Sequence, residues 1–146
     1  MCILHFAFCI NPTMLKLEIV TPERKVFDES VDSVTVPTAT GEAGILPKHA
    51  PLISGLKAGI LSYSINGAVE RLAVSGGFVE VSNDRVSVLS DTAETAGEID
   101  SAAARSEKEA AERELTANAT APVEENESIR ERIDAANTRI QLASGR

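Results

Sequence analysis

Glu42, His49, Asp100 and a set of three arginines hold most of the chemical capacity of this 146-residue chain. A carboxylate or an imidazole can move a proton, and a guanidinium can hold a carboxylate or a phosphate. Whether any of them acts catalytically depends on their neighbours. His5 and His49 are the only histidines, and neither stands beside a nucleophile motif, so no Ser-His-Asp set forms. There is no Walker-type loop, no GxGxxG and no HExxH. Cys2 and Cys9, the only cysteines, fall in the first ten residues. They make neither a zinc set nor a disulfide framework, which points to a reducing compartment. Catalytic residues, metal ligands and cofactors are all expected to be absent. Ser75-Gly76-Gly77 has the composition of a phosphate cradle. It leads into a strand pattern rather than a helix, so a tight turn or bulge is expected.

The other unusual stretch is GEAGILPKHAP, Gly41 to Pro51. It reads as a rigid loop between strands, suited to presenting a surface to a partner. Glu42 is expected as an exposed turn acid and His49 as a hydrogen-bonding loop residue.

These residues need a scaffold, and composition limits what it can be. Hydrophobic residues make up 43% of the chain, but aromatics only 3%, so Val, Ile, Leu and Ala must build the core. Acidic residues outnumber basic ones, 22 to 14, and the net charge of −8 argues against nucleic-acid binding. The opening MCILHFAFCI is apolar but too short for a bilayer, which takes about 20 residues. It also lacks the charged start and cleavage site of a signal peptide. Patterning begins after Met14, so residues 1–13 read as an upstream extension or a disordered tail.

From residue 14 to 91 the chain alternates with a period of two. LKLEIV (15–20), VDSVTVP (31–37), GILSYSI (59–65), VERLAVS (69–75), GFVEVSN (77–83) and RVSVLSD (85–91) all fit strands. Asn66-Gly67 is a strong type I′ hairpin signal. About seven to ten short strands at this spacing predict an antiparallel sandwich. Residues 98–117 and 124–142 read instead as two helices broken at Pro122. Ile129, Ile133, Ala136, Ile140 and Ala143 form a heptad-like seam, expected to meet Ala103, Ala110, Ala111 and Leu115. The predicted fold is mainly β plus α: an N-terminal antiparallel β-sandwich, 14–91, followed by a C-terminal antiparallel two-helix hairpin, 98–142. An Ala-against-Ile seam is thin, so the hairpin is expected to be weakly held. Arg132, Arg139 and Arg146, spaced by seven, make a ridge beside the seam. It is either a solvated charged face or a dock for an acidic partner.

The strings Val20-Thr21-Pro22, Val34-Thr35-Val36, Gly41 through Leu52, Ala73 through Val81 and Val86 through Asp91 resemble the epsilon subunit of F-type ATP synthases. The resemblance covers about residues 15–142 and is strongest through Leu89. It implies the same sandwich-plus-hairpin architecture and a non-catalytic rotor subunit of a proton-translocating complex. It implies gamma, the membrane c-ring and the catalytic alpha and beta subunits as partners. The ring- and gamma-facing segment would contain Gly41, Glu42, Gly44, Ile45, Pro47 and His49. The hairpin would inhibit ATP hydrolysis by pressing on an acidic region of beta, which Arg132, Arg139 and Arg146 suit. Without a targeting peptide, the expected place is the cytoplasmic face of a bacterial membrane, peripherally through the complex. Some members bind ATP through an Ile/Leu-Asp-x-x-Arg-Ala motif. Here Ile99-Asp100 remains, but Ala103 replaces the Arg, Arg105 lies two residues on, and Ala135 replaces a second Arg. No nucleotide site is therefore expected. The competing reading is a ligand-binding β-sandwich with a coiled-coil oligomerisation tail. That reading requires an exposed aromatic platform, drawn from Phe6, Phe8, Phe27, Phe78 and Tyr63.

Overall fold

Leu15, Leu17 and Ile19 alternate with Lys16, Glu18 and Val20 along the first strand. In the computed structural model, which describes residues 14–145, the first three are wholly buried. The same logic builds ten strands: β1 (Leu15–Val20), β2 (Lys25–Val31), β3 (Ser33–Thr38), β4 (Gly41–Ile45), β5 (Leu52–Gly55), β6 (Gly59–Ile65), β7 (Ala68–Ser75), β8 (Phe78–Ser82), β9 (Arg85–Leu89) and β10 (Thr92–Thr95). They form two five-stranded sheets, ordered β2-β1-β9-β8-β5 (sheet A) and β10-β7-β6-β3-β4 (sheet B). All pairings are antiparallel except β1 with β9. Inward residues of both sheets, among them Val34, Val36, Leu61, Val74, Val86 and Val88, make one aliphatic core. Asn66 and Gly67 both take positive φ, +51° and +80°, as the type I′ turn between β6 and β7 requires.

Several details differ from the sequence reading. β4 occupies Gly41–Ile45, so the expected loop is half strand, an edge strand paired only with β3. Its two glycines disguise it, and only Ile45 is fully buried. β2 was hidden for a similar reason: of KVFDESV only Val31 is buried, because an edge strand has one neighbour to satisfy. β3 continues past Pro37 to Thr38. Pairing with β6 has already ended at Thr35, so the missing proline N–H is not needed there. The sandwich also runs one strand beyond Asp91, through β10, whose Ala93 joins the core.

The helices are α1 (Ser101–Ala117) and α2 (Val123–Ala143). Asp100 caps α1, its Oδ1 accepting from the N–H groups of Ala102 and Ala103 at 3.0 Å. The α2 seam holds: Ile129 and Ala136 are buried, with Ile133 and Ile140 half-buried. On α1 the buried residues are Ala104 and Ala111, whereas Ala103 and Ala110 are exposed. An Ala/Glu-rich helix gives no apolar stripe from which to read the phase. Buried Asn126 fixes the interhelical turn by donating from Nδ2 to the carbonyls of Asn118 at 3.1 Å and Ala121 at 3.5 Å. The hairpin lies on the sandwich, with α2 against β7 and β6 of sheet B.

Gly77 has φ +84°, and a Cβ there would fall 1.8 Å from the Leu89 carbonyl oxygen. Gly77→Ala should therefore destabilise by about 2 kcal/mol or more, since left-handed strain alone costs about 1–2. Gly97 has open space where a Cβ would sit. Gly97→Ala should be within about 0.5 kcal/mol of the parent. Denaturant unfolding of both variants checks the contrast.

Candidate functional site

The expected display segment separates into two parts. Glu42 is exposed on β4, paired in register with Pro37 of β3. Gly41 and Gly44 flank it with open space at their Cβ positions. His49 lies beyond the other end of the strand, in the 46–50 loop. It is half-buried, and its Nδ1 lies 2.7 Å from the Ala50 carbonyl, a contact in which the ring N–H donates. Its backbone N–H donates to Leu46 O at 3.1 Å. Lys48, at φ +63°, donates its N–H to Asp84 Oδ1 at 2.6 Å, tying this loop to the β8–β9 turn. Leu46 and Pro47 cap the same end, Leu46 being largely exposed. Glu42 on β4 and His49 in the following loop thus lie at opposite ends of this segment.

A second surface was not anticipated. On the outer face of sheet A, Val20 pairs with Leu89, Leu89 with Phe78, and Phe78 with Gly55. Ile53 lies two residues along β5 on the same face. Ile53 is 74% exposed, Phe78 46% and Leu89 42%. These side chains form one apolar patch across four strands, and nothing among the described residues covers Ile53, Phe78 or Leu89. The sequence carried the signal: Phe78 is out of phase with buried Val79 and Val81, and Leu89 with buried Val86 and Val88. Beside the row, on β1 and β2, the same face is charged. There Lys16 and Asp28 lie 2.9 Å apart, Lys25 and Glu18 2.9 Å, and Lys25 and Asp28 3.0 Å. An apolar patch rimmed by charge marks an interaction surface.

The hairpin lies on part of the outer face of sheet B, over β7 and β6, and there Arg132 and Arg139 are engaged. Arg139 is only 22% exposed. Its Nε lies 2.6 Å from Glu94 Oε2 on β10, and its Nη1 lies 3.4 Å from Glu107 Oε2 on α1. Arg132 Nη1 donates to Glu114 Oε2 at 2.7 Å, across the hairpin. Neither arginine belongs to a free solvated ridge, and Arg146 lies outside the described residues. Arg24, Glu98, Glu107, Arg132 and Arg139 line a cleft of about 570 Å³ between hairpin and sandwich. Of the remnant nucleotide motif, Asp100 is committed to the helix cap, Ile99 is half-buried and Arg105 points to solvent. Among the described residues no cluster of His, Cys, Asp and Glu could hold a metal.

The linker into α1 is pinned as well. Glu98 Oε2 accepts from the Thr95 N–H at 2.9 Å and the Thr95 hydroxyl at 3.0 Å, and its Oε1 accepts from Arg24 at 2.6 Å. These bonds, led by that from the Thr95 N–H, hold the Glu98 carboxyl below its ordinary value of 4.5.

Comparison with known proteins agrees with this architecture. Residues 14–96 match the family described as ATP synthase, Delta/Epsilon chain, beta-sandwich domain. The ATP synthase epsilon chain of Desulfitobacterium hafniense strain Y51 is 49% identical over 100 residues, 68% of this chain and 76% of that one. The epsilon chain of Nitratidesulfovibrio vulgaris strain DP4 is 42% identical over 128 residues, 88% of this chain and 87% of that one. A chain in the cryo-EM structure of the Euglena gracilis mitochondrial ATP synthase shares the fold, with a TM-score of 0.68 at 24% identity, covering 92% of this chain and 81% of that one.

The Glu98 contacts stabilise the linker at pH values above the carboxyl's ordinary value, and that increment is lost as pH falls through the lowered folded value. Arg24→Ala should raise the Glu98 pKa only part of the way back, because both Thr95 donors remain. A carboxyl-detected NMR titration of the two proteins reads this directly.

Proposed function

This chain belongs to the delta/epsilon family of ATP synthase subunits, and we propose that it acts as a rotor subunit linking the gamma shaft to the membrane c-ring. The relatives to which it is similar are named ATP synthase epsilon chains. The observation that carries the reading is the apolar row Ile53, Phe78, Leu89 and Val20. Exposed apolar side chains clustered on one sheet face call for a covering partner, and we assign that partner as gamma. Edge strand β4, with Glu42 displayed between two unobstructed glycines, together with the 46–50 loop, is assigned to the c-ring. Through these two contacts the subunit would couple proton-driven rotation to ATP synthesis.

In the same reading the hairpin restrains ATP hydrolysis by meeting the catalytic beta subunit through Arg132, Arg139 and Arg146. Guanidinium groups on one helical side fit an acidic surface. The subunit would sit peripherally at the cytoplasmic face of a bacterial membrane, held there by the complex. No helix among the described residues is long and apolar enough to cross a membrane. The ligand-binding alternative finds little support. Phe27 and Tyr63 stack on each other with centroids 4.4 Å apart, half-buried against the core. Phe78 is the one exposed aromatic among the described residues, too little for a stacking platform.

Burying a Phe or Leu side chain contributes about 1.5–3 kcal/mol. Phe78→Asp with Leu89→Asp should therefore weaken binding to gamma at least about tenfold, with unchanged circular dichroism. Glu42→Lys should leave gamma binding intact and weaken retention on c-ring-containing membranes. Gamma binding that survives the double aspartate variant would exclude the row as its contact.

A further inference from the structure

We propose that Glu94 and Arg139 form an electrostatic latch that closes the hairpin on the sandwich without any ligand. Four observations carry this. First, the pair makes two close contacts and is largely shielded. Arg139 Nε lies 2.6 Å from Glu94 Oε2 as an ion contact whose N–H is not aimed at the oxygen, and Nη2 donates to Glu94 Oε1 at 3.3 Å. Second, among the described residues it is the one ion pair between either helix and a strand of the sandwich. Third, it stands beside a buried position on β7. Ala73, in register opposite Glu94, is buried on the outer face of that strand, whereas Arg71 and Val69 on the same face stay exposed. A single methyl offers little apolar area on β7, so charge adds to the packing that α2 also makes on β6. Fourth, Glu107 of α1 lies 3.4 Å from the same guanidinium. Arg139 therefore joins both helices to β10 at one point.

The cleft beside the latch is already neutralised by the chain's own carboxylates. Arg24 is paired with Glu98, Arg132 with Glu114, and Arg139 with Glu94 and Glu107. A polyphosphate entering it would have to displace these contacts and would meet Glu94, Glu98 and Glu107 around it. The docked state is thus governed by ionic strength rather than by a nucleotide. A further consequence rests on the partner reading above: Arg139 can engage an outside acidic surface only after it leaves Glu94.

The test is native-state amide exchange on the full-length chain alone, comparing α2 with the strands of sheet A in the same sample. Glu94→Gln should speed α2 exchange about fivefold while the sheet A amides keep their rates. For the unmodified chain, raising salt from about 0.05 M to about 0.5 M should loosen α2 in the same direction, and in Glu94→Gln that salt effect should shrink, since the Arg139–Glu107 and Arg132–Glu114 pairs remain. MgATP at millimolar concentration should change nothing. Equal α2 rates in both proteins and at both salts would overturn the latch, as would slowing of α2 exchange by MgATP. Gamma is absent from this experiment, so its failure is separate from any failure of the rotor reading.

Discussion

The fold depends on one crossing, where the chain changes sheets twice within a few ångströms. β7 ends in sheet B at Ser75, and Gly76 and Gly77, both at positive φ, carry the chain into β8 of sheet A. Fourteen residues later β9 ends and the chain returns to sheet B as β10. Consecutive amides mark the return: Ser90 N–H donates to Val20 O in sheet A at 3.0 Å, and Asp91 N–H to Ser75 O in sheet B at 3.1 Å. Buried Ser90 places its hydroxyl within 2.9 Å of Ser75 O and 2.7 Å of Thr92 O. The two passages are packed so closely that Gly77 can carry no side chain. A β-sandwich with strands that switch sheets needs such corners, and glycine is the residue that permits them.

Both the apolar patch and the hairpin contact follow from that corner. The first passage starts β8 with Phe78 facing outward beside Leu89, which sets the apolar row on sheet A. The second passage starts β10 with Ala93 in the core and Glu94 facing out, which aims a carboxylate at α2. One outer face is thereby left with a bare apolar patch, while the other carries a helical hairpin with a charged contact at the edge strand β10. A bare apolar face calls for permanent burial. A small contact fastened by ion pairs yields to competing charge and to salt.

The sequence made the interior strands legible because their alternation is strict: Leu15, Leu17 and Ile19 read unambiguously, as did the Asn66-Gly67 turn. Edge strands were not legible. β2, β4 and β10 each have one neighbour, so a single buried residue or two satisfies them and no period emerges. β4 was further masked by Gly41 and Gly44, which look like loop. The seam of α2 was readable from its isoleucines, whereas the phase of α1 was lost among interchangeable alanines. Arg139 stood out by spacing, but its partner Glu94 is 45 residues away and could only be found in three dimensions. The Phe78–Leu89 row was visible as two residues out of phase with their buried neighbours. Its extent across four strands required the sheet order.

The account stands on the claim that the outer face of sheet A is the partner-facing surface while the hairpin occupies sheet B. Hydroxyl-radical footprinting of the chain, alone and in complex with gamma, measures this side chain by side chain. Ile53, Phe78 and Leu89 should be oxidised readily in the free chain and become strongly protected in the complex. If all three stay as reactive in the complex as in the free chain, and protection falls elsewhere, the assignment is contradicted.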